Sequence, residues 1–425
     1  MRAEFVGGVM SAPAVAELFR PVLGPEAPIT VKAYDGSLSR PAGGGSVATV
    51  DVRSETALAY LAGSPNSLGL ARAFVSGHLD VDGDLYTALT AMSELTISDV
   101  SPRTLAEMAL RLAPIRLRHR NLAPPPQEHR QHGWLHSKSR DAEAIAHHYD
   151  VSNRFYEMVL GPSMAYTCAA YPSETSSLEE AQFAKHALVA EKLALRPGMR
   201  LLDVGCGWGQ MSMHAAEHHG VRALGVTLSR DQALWAQKEV ARRGLSDLVE
   251  IRHGDYRDVT ETEFDAVASI GLTEHIGRAQ LKPYFAFLYA KLRTGGRLLN
   301  HCITRPDANH RAHADPFIDR YVFPDGELLP VGYLVSRMNG AGFEIRHEEN
   351  LREHYSKTLK AWTANLEANW DECVAEAGEG SARVWKLYMP ACAVGFDLNN
   401  IQLHQVLGVK LDDQGRSGFP LRPAY

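Results

Sequence analysis

The sequence has no Cys-x-x-Cys pair, and its five cysteines (Cys168, Cys206, Cys302, Cys373 and Cys392) are an odd, widely spaced set. That pattern supports neither a disulfide framework nor a zinc site, and it fits a reducing cytoplasm. No stretch of about 18 apolar residues occurs, and the N-terminal MRAEFVGGVMSAPAVAELF lacks a continuous apolar core, so neither a membrane span nor an export signal is expected. Excess positive charge is also missing. Against 44 Lys+Arg stand 50 Asp+Glu, a formal charge of -6, which argues against a nucleic-acid partner held by the field of the whole molecule. What is present is an ordinary globular composition, 45% hydrophobic and 22% charged over 425 residues, enough chain for two or three domains.

Residues 1–120 read as a small α+β domain, with an early helix, strands around ITVKAYDG and SVATVDV, and helices up to Arg120. Asp80 to Asp84 resembles a calcium loop, but its glycine is one position early and Ala91 stands where a bidentate glutamate belongs, so a solvated turn is expected. From Ser101 to Arg120, Leu, Met and Ile are interleaved with Arg103, Arg111, Arg116, Arg118 and Arg120. A helix lying on an anionic lipid surface has this pattern, and so does a surface helix packed on its own domain. Residues 121–140 are Pro-rich and polar, a linker in which His129, His132 and His136 are solvated residues rather than metal ligands. Beyond residue 141 strands and helices alternate, which predicts a parallel doubly wound sheet over 141–425.

MRLLDVGCGWGQ is an apolar run ending in Asp203, Gly205, Gly207 and Gly209, with a helix expected from Trp208 to His219. Glycines there let the backbone turn sharply and approach a ligand at a helix N-terminus. Dinucleotide folds use such a turn too. Three details favour S-adenosylmethionine (SAM). Asp203 suits a cationic amino-acid moiety; VRALGV runs into Thr227, Leu228 and Gln232 without the acidic residue usual in dinucleotide folds; and LVEIRHG ends at Asp255 and Tyr256, placed for an adenine amine and ring.

Ordered blocks then carry a resemblance. They are HHYDVSNRFYEMVLGPSMAYTCAAY (147–171), LLDVGCGWG, GVTLSRDQ, TEHIG, LLNHCIT, YVFPDG, HYSKTLKAW and ACAVGFDLNNIQLHQV. From about His147 onward the chain resembles the cyclopropane-fatty-acyl-phospholipid synthases and the mycolic-acid methyltransferases. The resemblance implies a Rossmann-like class I SAM methyltransferase domain. SAM would be held by Tyr166, Thr167, Asp203, Gly205, Gly207, Gly209, Thr227, Leu228, Gln232, Asp255 and Tyr256. It also implies a bicarbonate ion as bound base, held by Cys168, Glu274, His301, Ile303 and Tyr355. Cys392 matches a position proposed as catalytic in the family, but alkylation of an alkene needs no covalent enzyme intermediate, and it is the weakest of these candidates.

The implied substrate is a cis double bond in an unsaturated acyl chain of a membrane phospholipid. Methyl transfer to an alkene leaves a carbocation, which demands a dry pocket with aromatic faces and a well-placed base. Loss of a proton from the new methyl closes a cyclopropane; loss elsewhere gives a methylene branch that a separate reductase would convert to a methyl. Glu274 beside an anion is expected to be protonated or paired with His301, with their titrations coupled. Two departures from the family pattern, Cys302 beside His301 and Thr273 before Glu274, are expected to lie next to the base and leave ring against branch open. The expected protein is cytoplasmic, attached to the inner face of the membrane, homo-oligomeric and without nucleic acid or metal. The competing readings are a SAM methyltransferase of another small molecule and a non-catalytic lipid-binding relative.

Overall fold

The computed structural model describes residues 14–93, 101–129, 151–307, 315–423 and 425. His132, His136 and the first four residues of the 147–171 block lie outside them. The chain divides into two units, Met1–Pro125 and Pro126–Tyr425. The segment expected as a linker is thus shared between them.

In the first unit, strands β1 (Ile29–Ala33), β2 (Leu38–Ser39), β3 (Ala48–Val52) and β4 (Leu79–Gly83) form a sheet in the order β2-β1-β3-β4. Helices α1 (Arg20–Leu23), α2 (Glu55–Gly63), α3 (Ser67–Val75), α4 (Leu85–Ser93) and α5 (Pro102–Arg118) accompany it. Alternating residues of β1 and β3 are buried, the period of two that a one-sided sheet requires. Asp80 pairs with Arg53 at 2.7 Å, and Asp84 accepts from the backbone of Tyr86 and Thr87 at a helix start. The acidic run is therefore committed to local structure. No residue of α5 is buried, and Leu110 and Leu117 are 74% and 70% exposed. Of its arginines, Arg118 is bonded to Glu55 at 2.6 Å.

The second unit carries helices α6 (Asn153–Leu160), α7 (Leu178–Leu193), α8 (Gln210–His219), α9 (Arg230–Arg242), α10 (Leu281–Lys291), α11 (Pro316–Tyr321), α12 (Val331–Gly340), α13 (Arg352–Ala368), α14 (Trp370–Ala377) and α15 (Glu379–Asp397). Its strands are β5 (Arg200–Val204), β6 (Arg222–Thr227), β7 (Val249–His253), β8 (Phe264–Ile270), β9 (Leu292–Thr304), β10 (Glu344–Asn350) and β11 (Gln402–Val409). The sheet order is β10-β11-β9-β8-β5-β6-β7. Strands β5 to β9 are mutually parallel, and β11 alone runs against its neighbours β9 and β10.

Both faces of this sheet are covered. Leu201, Met213, Ala223 and Leu299 belong to one core; Leu202, Val226, Leu298 and Cys302 belong to the other. Leu201 and Leu202, or Leu298 and Leu299, separate because adjacent strand residues point to opposite faces. Each fully buried leucine contributes roughly 1.5–3 kcal/mol. The chain runs β5 to β6 to β7 and returns to β8 on the other side of β5, so a crevice opens at the C-terminal end of β5, where doubly wound sheets bind ligands.

Two local differences from the sequence reading have physical causes. Helix α8 starts at Gln210, not Trp208, because Gly209 holds φ +77°, a left-handed conformation incompatible with a helix interior. And β11, read within an otherwise parallel pattern, is antiparallel: it follows α15 directly and enters between β9 and β10.

Candidate active site

The turn after β5 shows why three glycines are needed. Gly205, Gly207 and Gly209 all have positive φ, +73°, +55° and +77°, which side chains resist. A Cβ at Gly205 would meet Leu272 at 3.3 Å and one at Gly209 would meet Ile251 at 3.1 Å, whereas at Gly207 the nearest atom is Gln232 Nε2 at 4.0 Å. The outer two glycines serve packing, and the middle one leaves open backbone facing the crevice.

Recesses lie on either side of this turn. One is lined by Tyr166, Thr167, Lys185, Asp203, Trp208 and Gln210. Asp203, 2% exposed, accepts from Ser212 Oγ at 2.8 Å, and burial pushes its carboxyl up to about 6. Lys185 Nζ donates to Thr167 Oγ1 at 3.0 Å and lies 2.9 Å from His186 Nε2; burial lowers its ammonium to about 8. A buried acid and a buried base in one recess fit a zwitterionic amino-acid moiety. The other recess is lined by Thr227, Leu228, Tyr256, Leu272 and Phe323, and suits a flat ring. Between them, Gln232 accepts from Thr227 Oγ1 through Oε1 at 2.8 Å, while its buried Nε2 has no partner among the described residues. An orphaned buried donor is costly without a ligand acceptor, so these residues fit SAM.

The Asp255 carboxylate caps the turn that follows and binds the Arg257 guanidinium at 2.8 and 2.5 Å. Its two oxygens offer about four acceptor sites, so this pair fixes its orientation, and Gly254, Tyr256 and Arg257 line the recess beside it.

Glu274 lies on a short turn, Thr273–His275, beyond β8. Ile303 N–H donates to its Oε1 at 2.7 Å. Burial pushes the carboxyl up to about 7, and Oε2 has no partner among the described residues. His301, 1% exposed on β9, also leaves Nε2 without a partner among them. Two buried, unpartnered polar atoms from adjoining elements fit a small polar ion. Cys168 is fully buried, its thiol donates to Ala169 O at 3.1 Å, and burial raises it well above the ordinary thiol range. It is therefore neutral and suited to shaping the site, not to nucleophilic attack. Tyr355, near the start of α13, is raised by burial and by the ionisable groups of Tyr388, Cys168, Glu274 and Cys392 around it, so these groups share one neighbourhood. Cys392 is pushed up to about 12 by burial and presents no thiolate.

Of the two expected states of Glu274, protonated or paired with His301, burial favours the first. No hydrogen bond joins the two residues; the His301 ring is bonded through Nδ1 to Gln405 at 3.1 Å and held neutral by burial and by the positive charges of Lys185 and Lys192. Cys302 lies near Glu274, whose carboxyl adds to the burial that raises its thiol, but strand alternation turns its side chain to the sheet face opposite Leu299 and His301, bonded to Asn300 at 3.3 Å. Thr273 is tied to Asn300 Oδ1 at 2.5 Å, supporting the turn that carries Glu274.

Sequence reasoning missed the aromatic cluster that completes the site. Around Tyr166 stand Trp362 at 5.3 Å, Trp385 at 5.4 Å and Phe323 at 6.4 Å between ring centroids, and its hydroxyl bonds Tyr388 at 3.1 Å. Since Tyr166 lines one recess and Phe323 the other, these π-faces border the crevice. Lys185, Lys192 and Gln405 were missed too: on α7 and β11 they read as helix-surface and strand residues, and no local signal marks them as buried.

Residues 136–406 match the family described as mycolic acid cyclopropane synthetase. A probable fatty acid methyltransferase of Mycobacterium tuberculosis is 53% identical over 93% of this chain and 94% of its own length. The cyclopropane-fatty-acyl-phospholipid synthase of Escherichia coli K12 is 36% identical over 64% of this chain and 69% of its own. Among solved structures, the cyclopropane synthase MmaA2 from Mycobacterium tuberculosis superposes with a TM-score of 0.60 at 30% identity, covering 65% of this chain and all of that one. The mycolic acid cyclopropane synthase CmaA1, complexed with SAH and CTAB, gives 0.59 at 31%, over 63% of this chain and 97% of that one.

Proposed function

Because the chain belongs to the mycolic acid cyclopropane synthetase family and is a SAM-dependent methyltransferase of fatty acyl substrates, we propose that it modifies the cis double bond of unsaturated acyl chains in membrane phospholipids. The observation that carries this reading is an aromatic wall that Tyr355 joins to the buried Glu274, whose Oε2 has no partner among the described residues, with His301 Nε2, likewise unpartnered, on the neighbouring strand near Lys185. An alkene offers no hydrogen-bonding group, so neither atom is there to recognise the lipid. Their chemistry suits a bound bicarbonate that takes up the proton released by the product.

When bound, SAM supplies an electrophilic methyl group and bicarbonate supplies the proton acceptor. The residues do the rest. Asp203, Lys185 and Gln232 orient the donor against the alkene, which lowers the entropic part of the barrier. As the π pair forms the new carbon–carbon bond, positive charge develops on the neighbouring acyl carbon, where Tyr166, Trp362 and Trp385 stabilise it and exclude water. Glu274, poised near neutrality, and His301 hold the anion that accepts the proton. The relative at 53% identity is named a fatty acid methyltransferase and the one at 36% a cyclopropane synthase, which favours the branched product, through a separate reductase, as a second outcome. Among the described residues no helix is long and apolar enough to cross a membrane, and α5, with no residue buried, supplies apolar and basic side chains for an anionic bilayer.

The test is incubation of the purified protein with methyl-deuterated SAM and vesicles of dioleoyl phosphatidylglycerol. Acyl chains gaining one labelled carbon, assigned as cyclopropane or methylene by NMR, support the proposal. A folded, SAM-binding protein that leaves the lipid unlabelled overturns it.

A further inference from the structure

We infer that Lys192 and Gln405 form a buried relay that locks His301 in the tautomer with its proton on Nε2, so that the ring can only donate into the site. The starting point is Lys192, whose side chain is 0% exposed and paired with Glu349. Its ammonium carries three donors and no acceptor, and it donates to Gln405 Oε1 at 2.7 Å. The orientation of the Gln405 amide follows: the oxygen faces the lysine and the NH2 faces away. That NH2 meets His301 Nδ1 at 3.1 Å. An NH2 group can only donate, so Nδ1 must accept through its lone pair, and a neutral ring then bears its proton on Nε2. Nε2 is buried and has no partner among the described residues.

The strands impose this arrangement. Gln405 lies directly opposite His301 where β11 pairs with β9, and Lys192 reaches it from the last turn of α7. Protonating Nδ1 would set two N–H groups against each other, so the relay also opposes the imidazolium. Other charged or titratable groups facing the ring, Lys185 and His186 from α7 together with Lys192 itself, oppose it likewise. His301 is thus excluded as the proton acceptor of the reaction and assigned as a fixed donor to the bound anion. Lys192 and Gln405 are positioning residues. The functional consequence rests on the reading proposed above; the tautomer does not.

The experiment is 15N NMR of histidine-labelled full-length protein without added substrate, from pH 5.5 to 9, on wild type, Gln405→Glu and Lys192→Met. Wild-type His301 is expected to show a protonated Nε2, an unprotonated Nδ1 and no titration. In Gln405→Glu the introduced carboxylate accepts from Nδ1–H, so His301 acquires a titration in this range. Above its new pKa the neutral ring presents a bare Nε2, and turnover drops about 10²-fold, as for loss of one preorganised donor; below it, the imidazolium keeps Nε2–H and part of the activity. In Lys192→Met the Gln405 amide is free to turn, and both tautomers appear. A wild-type ring protonated on Nδ1, or one that titrates, overturns the assignment, as does a folded Gln405→Glu protein with unchanged ring signals. Should the ring signals follow the expectation in a protein inert toward unsaturated phospholipid, the relay stands and the function proposed above falls.

Discussion

Replacing Glu274 by Gln separates chemistry from stability in a way that depends on pH. The wild-type carboxyl is buried, accepts from Ile303 N–H and is pushed up to about 7, against about 4.3–4.5 in an unfolded chain. Since the folded state holds this proton more tightly, its contribution to stability is complete below about pH 4.5, declines as pH rises and is gone above about 7. A shift of about 2.5 units at 1.36 kcal/mol each amounts to about 3 kcal/mol as an upper value. The amide has no charge to bury, can accept from the same N–H through its oxygen, and escapes this loss. Glu274→Gln is therefore expected to match the wild type near pH 4.5 and to exceed it at pH 8. Taking about 2.1 cal/mol/K of unfolding entropy per residue over a unit of roughly 300 residues, about 3 kcal/mol corresponds to a melting temperature about 5 °C higher. Calorimetry at the two pH values, with SAM titration and lipid labelling on the same samples, reads all three quantities. The variant should bind SAM and form no product. A melting difference that is the same at pH 4.5 and pH 8, or full turnover by the folded variant, refutes the reasoning.

Because Lys185 loses its proton near pH 8, SAM affinity measured by calorimetric titration should fall roughly tenfold as pH rises through that value; Lys185→Met should bind weakly at every pH, and unaltered pH dependence in it would remove the lysine from the cofactor site. Gly209→Ala should destabilise the fold more than Gly207→Ala, since both incur about 1–2 kcal/mol of left-handed backbone strain and only the first adds the 3.1 Å contact with Ile251; equal melting temperatures would contradict this. Binding to anionic vesicles should weaken with salt and with Arg111→Glu and Arg116→Glu. Arg118→Glu is a poorer probe because it breaks the bond to Glu55, and salt-independent binding by the wild type would exclude an electrostatic contribution from α5.

The glycine turn and the order of strand and helix were legible because each rests on residue type at fixed spacing, whereas Cys168, Glu274, His301, Ile303 and Tyr355 came only from the resemblance. Asp203 and Gln232 stand where their strands predict. That Arg257 folds back onto Asp255 was not legible, because only the fold shows where the guanidinium goes. Cys302 stands near Glu274, but its side chain leaves the His301 face because adjacent residues on a strand point to opposite faces. The aromatic wall and the lysine–glutamine relay were invisible for another reason. Trp362, Trp385 and Gln405 lie on elements far apart in sequence from Tyr166 and His301, and nothing local records which distant side chain a buried group will meet.

The position of β11 carries a consequence for how the protein comes into being. The last strand of the chain is not an edge but an interior strand, slotted between β9 and β10, and it delivers Gln405 to His301. During synthesis the glycine turn and its neighbouring strands emerge some 200 residues before that glutamine does. A nascent or truncated chain lacking residues 402–409 can therefore possess a cofactor recess while its histidine is still free to hold its proton on either nitrogen. The donor set is therefore complete only once the strand carrying Gln405 has paired with β9, later than the residues of the cofactor recess are made.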